Sequence, residues 1–228
     1  VTTAIRNGDL EELDRLLGQD PGLAAATILS GDGTARSMLH IATDWPGHFP
    51  NNVESVRLLI DAGADPNTRF SGPHTETALH WAASSDDVDV LDALLDAGAD
   101  IEADGAVIGG GTALGDATAF GQWRAARRLV ERGAHSTFFE SAAVGLLDRV
   151  TAELGADQPP TRSEISSACW GACHGGQLAV AEFLLERGAD INWAAPWDDS
   201  TPLDAAHRSG HGALVLWLTE RGAKPGQS

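Results

Sequence analysis

Basic residues are scarce in this sequence: 15 lysines and arginines face 33 acids, a formal net charge of −18 over 228 residues. Nucleic acid and anionic membrane surfaces are both held by clustered Lys and Arg, so this balance argues against either as partner. It leaves room for a cationic ligand, although high charge of one sign also simply keeps a protein soluble. No apolar run reaches 18 residues, and the start carries no basic segment followed by an apolar core. A membrane span and an export signal are therefore not expected, and the cytoplasm is the expected location. Cysteine is almost absent as well. Cys169 and Cys173 lie four apart in a helical stretch, a geometry poorly suited to a disulfide.

What the sequence has in quantity is one phrase. It reads "LLIDAGADPN" (58–67), "LLDAGADIEA" (94–103), "LVERGAHS" (129–136), "LLERGADIN" (184–192) and "LTERGAK" (218–224). Its glycines, Gly63, Gly98, Gly133, Gly188 and Gly222, are spaced by 35, 35, 55 and 34, and the 55 divides at Gly155. A second phrase precedes each copy: "SMLHIA", "TALHWAA", "TALGDATAFG", "SACWGACHGG" and "TPLDAAHRSG". Thr or Ser caps a first helix, Leu and Ala pack it against neighbours, and the Leu pair anchors a second helix. The closing Gly ends that helix in a left-handed conformation.

A period near 33 with a T-P-L-H-x-A opening and an L-L-x-x-G-A-D closing resembles the ankyrin repeat. The resemblance covers nearly the whole chain. It implies an all-α solenoid of about six to seven helix-turn-helix repeats carrying short hairpin fingers, in a single domain over residues 1–228. The repeats fall at approximately 1–29, 30–64, 65–99, 100–134, 135–160 (shortened), 161–189 and 190–224. One such unit cannot bury its own apolar face, so units stack. The resemblance further implies that His40 and His80 are signature histidines bonded within their repeats. Cys169 and Cys173 fall at core positions, which removes "CWGACH" as a haem-attachment motif. His207 and His211 have metal-like spacing, but His211 also sits where these repeats commonly carry histidine, so neither a metal nor a cofactor is expected.

Function is sought where the repeat is broken. The run "TDWPGHFPN" (43–51) inserts five residues between the two helices of the first full repeat. It is expected to form a proline-stiffened flap at the rim of the concave face, with Trp45 and His48 turned toward it. Conversely, His135 to Thr137 leaves no room for a finger, and the next helix is expected to begin after Ser167. Counting two residues on from the signature leucine gives Ile41, Trp81, Asp116, Glu140, Gly171 and Ala205, which would place Asp116 and Glu140 at one position in adjacent repeats. Three further on stand Asp44, Ser84, Ala119, Ala143, His174 and Arg208.

Two functions remain open. Ankyrin resemblance implies a non-catalytic recognition scaffold that binds a partner protein through the concave face and fingers. The alternative is a small-molecule site or a cofactor-independent enzyme catalysing a cyclisation, elimination or hydrolysis. There Asp116 and Glu140 would serve as acid and base and His174 as relay. Asp44, Trp45, His48, His80, Trp81, Phe120, Trp170 and Trp197 are the candidate ligand-binding residues, suited to a cationic or apolar molecule. Asp116 and Glu140 also have a structural reading, as helix caps or as partners of Arg124 and Arg149.

Overall fold

In the computed structural model, which describes residues 1–226, the chain consists almost entirely of paired short helices. Tertiary contacts divide it into two compact units, Val1–Ala134 and His135–Ser228, at the boundary where the sequence loses a finger. No described helix is long and apolar enough to cross a membrane.

The first unit holds four helix pairs: α1 (Thr2–Asn7) with α2 (Leu10–Gln19), α3 (Met38–Ala42) with α4 (Asn52–Asp61), α5 (Ala78–Ser84) with α6 (Val88–Asp96), and α7 (Ala113–Ala119) with α8 (Trp123–Glu131). First helices pack on first helices and second on second, α5 against α7 most extensively. Buried Leu39, Leu59, Leu79, Leu94, Leu114 and Leu129, each almost fully enclosed, come from the two repeated phrases. These helices are too short to be stable alone, so packing between neighbours supplies their stability. Ser37 and Thr77 form capping boxes in which the third helical residue, His40 or His80, bonds back to the cap.

Between pairs the chain projects as fingers. The first is a true hairpin, β1 (Thr27–Leu29) antiparallel to β2 (Ala35–Ser37). The next joins it through reciprocal bonds between the Ala35 and Ser71 main chains at 2.8 and 3.0 Å. The third, residues 99–112, docks on the second where the Thr75 amide donates to the Gly105 carbonyl at 3.3 Å. Gly105 sits at φ +112° with the Thr75 carbonyl oxygen 2.5 Å from where a Cβ would stand, so no other residue fits.

The second unit holds α9 (Phe138–Val144) with α10 (Leu147–Leu154), α11 (Arg162–His174) with α12 (Leu178–Glu186), and α13 (Pro202–Arg208) with α14 (Gly212–Glu220). Its core gathers Cys169, Cys173, Leu184 and Leu218 around α11. Helix α9 starts directly after the first unit's last phrase, capped by Thr137, with no finger before it. The expectation that α11 begins after Ser167 is corrected. Thr161 caps it and Glu164 completes the box, so six extra residues extend the helix where a finger would stand.

Candidate functional site

The inserted turn lies against the ends of α5 and α6. Asp44 accepts from Arg6 at 3.0 Å and Arg36 at 3.1 Å, which ties the start of the turn to helix α1 and strand β2. Gly47, at φ +72°, passes so close to α5 that a Cβ there would meet Ser85 Cβ at 2.9 Å. His48 donates its main-chain N–H to Asp87 Oδ2 at 3.0 Å. Its Nε2–H donates to the Ser85 carbonyl at 2.9 Å, leaving Nδ1 facing Asp87 Oδ1 at 3.8 Å. Asn51, left-handed at φ 50°, closes the turn by donating to the Gly8 carbonyl at 2.9 Å.

This anchoring holds Trp45 out at 78% exposure. Trp45, Pro46, His48, Ser84, Ser85, Phe120 and Gln122 line an open depression of about 630 Å³. Phe120, just past the end of α7, is 46% exposed. Three of the expected ligand-binding residues, Trp45, His48 and Phe120, thus meet at one place. Asp44 is held apart by its arginines. Trp81 instead packs edge-on to His40, centroids 4.9 Å apart, and against Phe70 at 5.5 Å. His80 is buried with Nδ1 accepting from the Thr77 amide at 3.1 Å and Nε2–H facing the Gly111 carbonyl at 3.4 Å. Burial lowers the pKa of both signature histidines, that of His40 to about 4, so both are neutral at pH 7.

The expected equivalence of Asp116 and Glu140 is corrected by their caps. Asp116 stands four residues after its cap, Thr112, whereas Glu140 stands three after Thr137, the place that His40 and His80 occupy in their repeats. Glu140 Oε2 accepts the Thr137 amide at 2.7 Å and its hydroxyl at 2.9 Å, completing a capping box. Its structural reading is therefore the observed geometry, though without arginine; Arg149 donates to Ser136 instead. Arg124 lies 3.9 Å from Asp86.

Asp116 has another neighbour. It is fully buried, its Oδ1 faces the Ile108 amide at 3.5 Å, and its Oδ2 has no hydrogen-bond partner. Burial, reinforced by the negative charge of Glu76, raises its pKa to about 6. Glu76 is itself buried, with Oε2 likewise unpartnered. Its carbonyl is taken by the Phe70 amide at 2.7 Å and by His40 Nε2–H at 3.1 Å. Sequence reasoning missed Glu76 because it precedes the helix cap Thr77 and belongs to no periodic position.

In the second unit Trp170 and Trp197 do come together. Trp197 meets Trp170 edge-on at 5.1 Å and Trp193 at 5.8 Å, while Phe139 stacks on Trp170 at 6.2 Å. Trp170 is buried and donates Nε1–H to Ser200 at 3.1 Å; Trp197 is 54% exposed. His174 lies 5.3 Å from Trp170 and its Nδ1 is 2.8 Å from the Ser209 hydroxyl. His211 Nε2–H donates to the His174 carbonyl at 3.0 Å, which accounts for one half of the metal-like pair. A cleft of about 620 Å³ opens between the start of α9, the end of α10 and the start of α11, with a lining that includes Phe138, Phe139, Glu153, Pro159, Pro160 and Glu164. Both cysteines are buried free thiols.

Known proteins agree with this architecture. The family model described as ankyrin repeats (3 copies) matches residues 1–105 and again 49–139, and the single ankyrin repeat model matches residues 167–195. An ankyrin repeat and KH domain-containing protein of Caenorhabditis briggsae is 31% identical over 186 residues, which is 78% of this chain but 7% of that protein. A protein of the same description from Caenorhabditis elegans is 30% identical over 75% of this chain and 6% of its own length. A palmitoyltransferase of Mus musculus is 30% identical over 42% of this chain and 16% of its own. The chain thus spans less than a fifth of each of these relatives. Repeat phrases, capped helix pairs and docked fingers converge with these matches: the chain belongs to the ankyrin repeat family.

Proposed function

We propose that the chain is a non-catalytic recognition scaffold that binds a partner protein through the face built by its first helices and fingers, with Trp45 and Phe120 as anchors. The observation that carries this reading is Trp45, held 78% exposed over an open depression by a turn anchored at Asp44, His48 and Asn51. An aromatic ring kept in water is unfavourable, and covering one removes roughly 150–250 Å² of largely apolar surface from solvent. Tryptophan is also among the residues most often dominant in protein interfaces. The turn's anchors limit what it must lose in entropy when a partner seats on it. The net charge of −18 favours a basic partner. A capping role for Glu140 and the Ser209 contact of His174 both support the non-catalytic reading over acid–base chemistry.

Affinity capture from the source lysate, with wild type and Trp45→Ala as baits, tests it. The wild type should retain a protein that the variant loses by at least tenfold, with identical circular dichroism. Indistinguishable captured sets would overturn it.

A further inference from the structure

Glu76 and Asp116 are two buried carboxylates flanking one finger: Thr75, next to Glu76, donates to Gly105, and Ile108 of the same finger donates to Asp116. Glu76 is 5% exposed and Asp116 is 0% exposed, and each keeps one oxygen without any hydrogen-bond partner. A buried polar atom left unsatisfied costs on the order of 1–3 kcal/mol, more when charged. Burial, with the charge of Glu76 added to it, raises the Asp116 pKa, so the two acids compound that cost.

Among the described residues no lysine or arginine forms an ion pair with either carboxylate. Arg69, the nearby guanidinium, is engaged with Asp104 at 2.9 Å and with the Thr75 carbonyl at 3.1 Å. His40 and His80 spend both ring nitrogens on local bonds and are neutral. His74 is the basic side chain that acts on Asp116, as the weakest of the influences on its pKa. What covers Asp116 is a loop, residues 105–111, closed by Gly105–Gly110 and Ala106–Gly111 main-chain bonds of 3.0 Å. Gly109 and Gly110 both adopt positive φ and face open space where a side chain would stand, so the loop tip can reshape at little steric cost. Val107 and Ile108 on this loop are 40% and 52% exposed, apolar side chains presented beside the buried acids.

We propose that Glu76 and Asp116 together form a subsite for a primary ammonium group, the side chain of a partner lysine, admitted when the loop 105–111 shifts. This rests on the reading of the chain as a protein-recognition scaffold. An ammonium donates three hydrogen bonds from one compact charge, which suits two buried acceptor oxygens that lack donors. Its alkyl stem would run along Val107 and Ile108. An ammonium is held by the ionised form of Asp116, so affinity rises with pH through its raised pKa of about 6.

The test uses n-butylammonium chloride as probe, followed by side-chain carboxyl carbon shifts of the full chain at pH 7.5. Saturable shifts at Asp116 and Glu76 are expected, with binding at least tenfold weaker in Asp116→Asn and in Glu76→Gln and unchanged in Glu131→Gln. Both variants keep side-chain shape and remove charge, and their dispersed amide spectra check that they fold. Equal shifts with sodium chloride, no saturable shift, or unchanged binding in both variants would overturn the proposal. Because the probe needs no partner, its failure with a positive Trp45 capture removes the ammonium site and leaves recognition standing; the reverse pattern removes only recognition.

Discussion

His48 and Asp87 lock the inserted turn to the next repeat: Asp87 Oδ2 accepts the His48 amide at 3.0 Å while Oδ1 accepts the Val90 amide at 3.4 Å, capping α6. One buried carboxylate thus serves a helix start and a foreign turn. It also accepts from Asn52 Nδ2 at 3.3 Å. Asp87→Ala should lower unfolding stability by roughly 2–3 kcal/mol, a lost cap plus orphaned buried donors. Urea denaturation checks this, and a loss under 0.5 kcal/mol would contradict the anchoring.

Thr137 and Glu140 satisfy each other's main chains in the box that starts α9. Thr137→Ala and Glu140→Ala should each cost about 1 kcal/mol, and the double variant should cost clearly less than the sum because both remove one motif. Additive losses would mean that Glu140 has a second, independent role.

The repeat period was legible because leucines, alanines and closing glycines recur regardless of context, and the helix pairs fall where those phrases lie. The position of Glu140 was misjudged because "TFFES" offers two phenylalanines for one leucine site; the cap, Thr137, selects Phe139. The T-x-x-E signal of Thr161 and Glu164 is equally readable in the sequence, but the repeat register points to Ser167 as the cap, six residues later than the observed start. Glu76 could not be found from periodicity at all. Finger residues are placed by docking on the neighbouring finger, and that is a tertiary contact with no sequence period. The inserted turn was visible as an interruption, while its anchor Asp87 read as an ordinary helix cap.

Asp116 gives the stability a pH signature. Its folded pKa, about 6, lies above the unfolded carboxylate value because burial disfavours the ionised form. The folded state therefore binds the proton more tightly, so a stability penalty is absent below about pH 4 and grows as pH rises through 6. Its ceiling is about 3 kcal/mol, from a shift of roughly two pH units at 1.36 kcal/mol each. Asp116→Asn should be more stable than wild type at pH 8 and equal to it near pH 4, by urea denaturation at both. A variant less stable than wild type at pH 8 would contradict the assignment.

Cys169 and Cys173 are both fully buried, and contact with the Cys169 thiol together with burial pushes the Cys173 thiol well above its ordinary pKa. Protonated enclosed thiols react slowly. Labelling by a thiol reagent at pH 8 should be negligible in the native state and rise in step with urea unfolding. Labelling within the mixing time under native conditions would show that α11 opens locally.

The most direct test of protein recognition is the affinity of a captured partner for wild type, Trp45→Ala and Phe120→Ala, measured by titration calorimetry with unfolding curves in parallel. Each variant should weaken binding at least tenfold, about 1.4 kcal/mol, while Trp45→Ala moves unfolding stability by no more than about 0.5 kcal/mol. Unchanged affinity with lowered stability would contradict the claim, showing that the exposed ring serves the fold and not a partner.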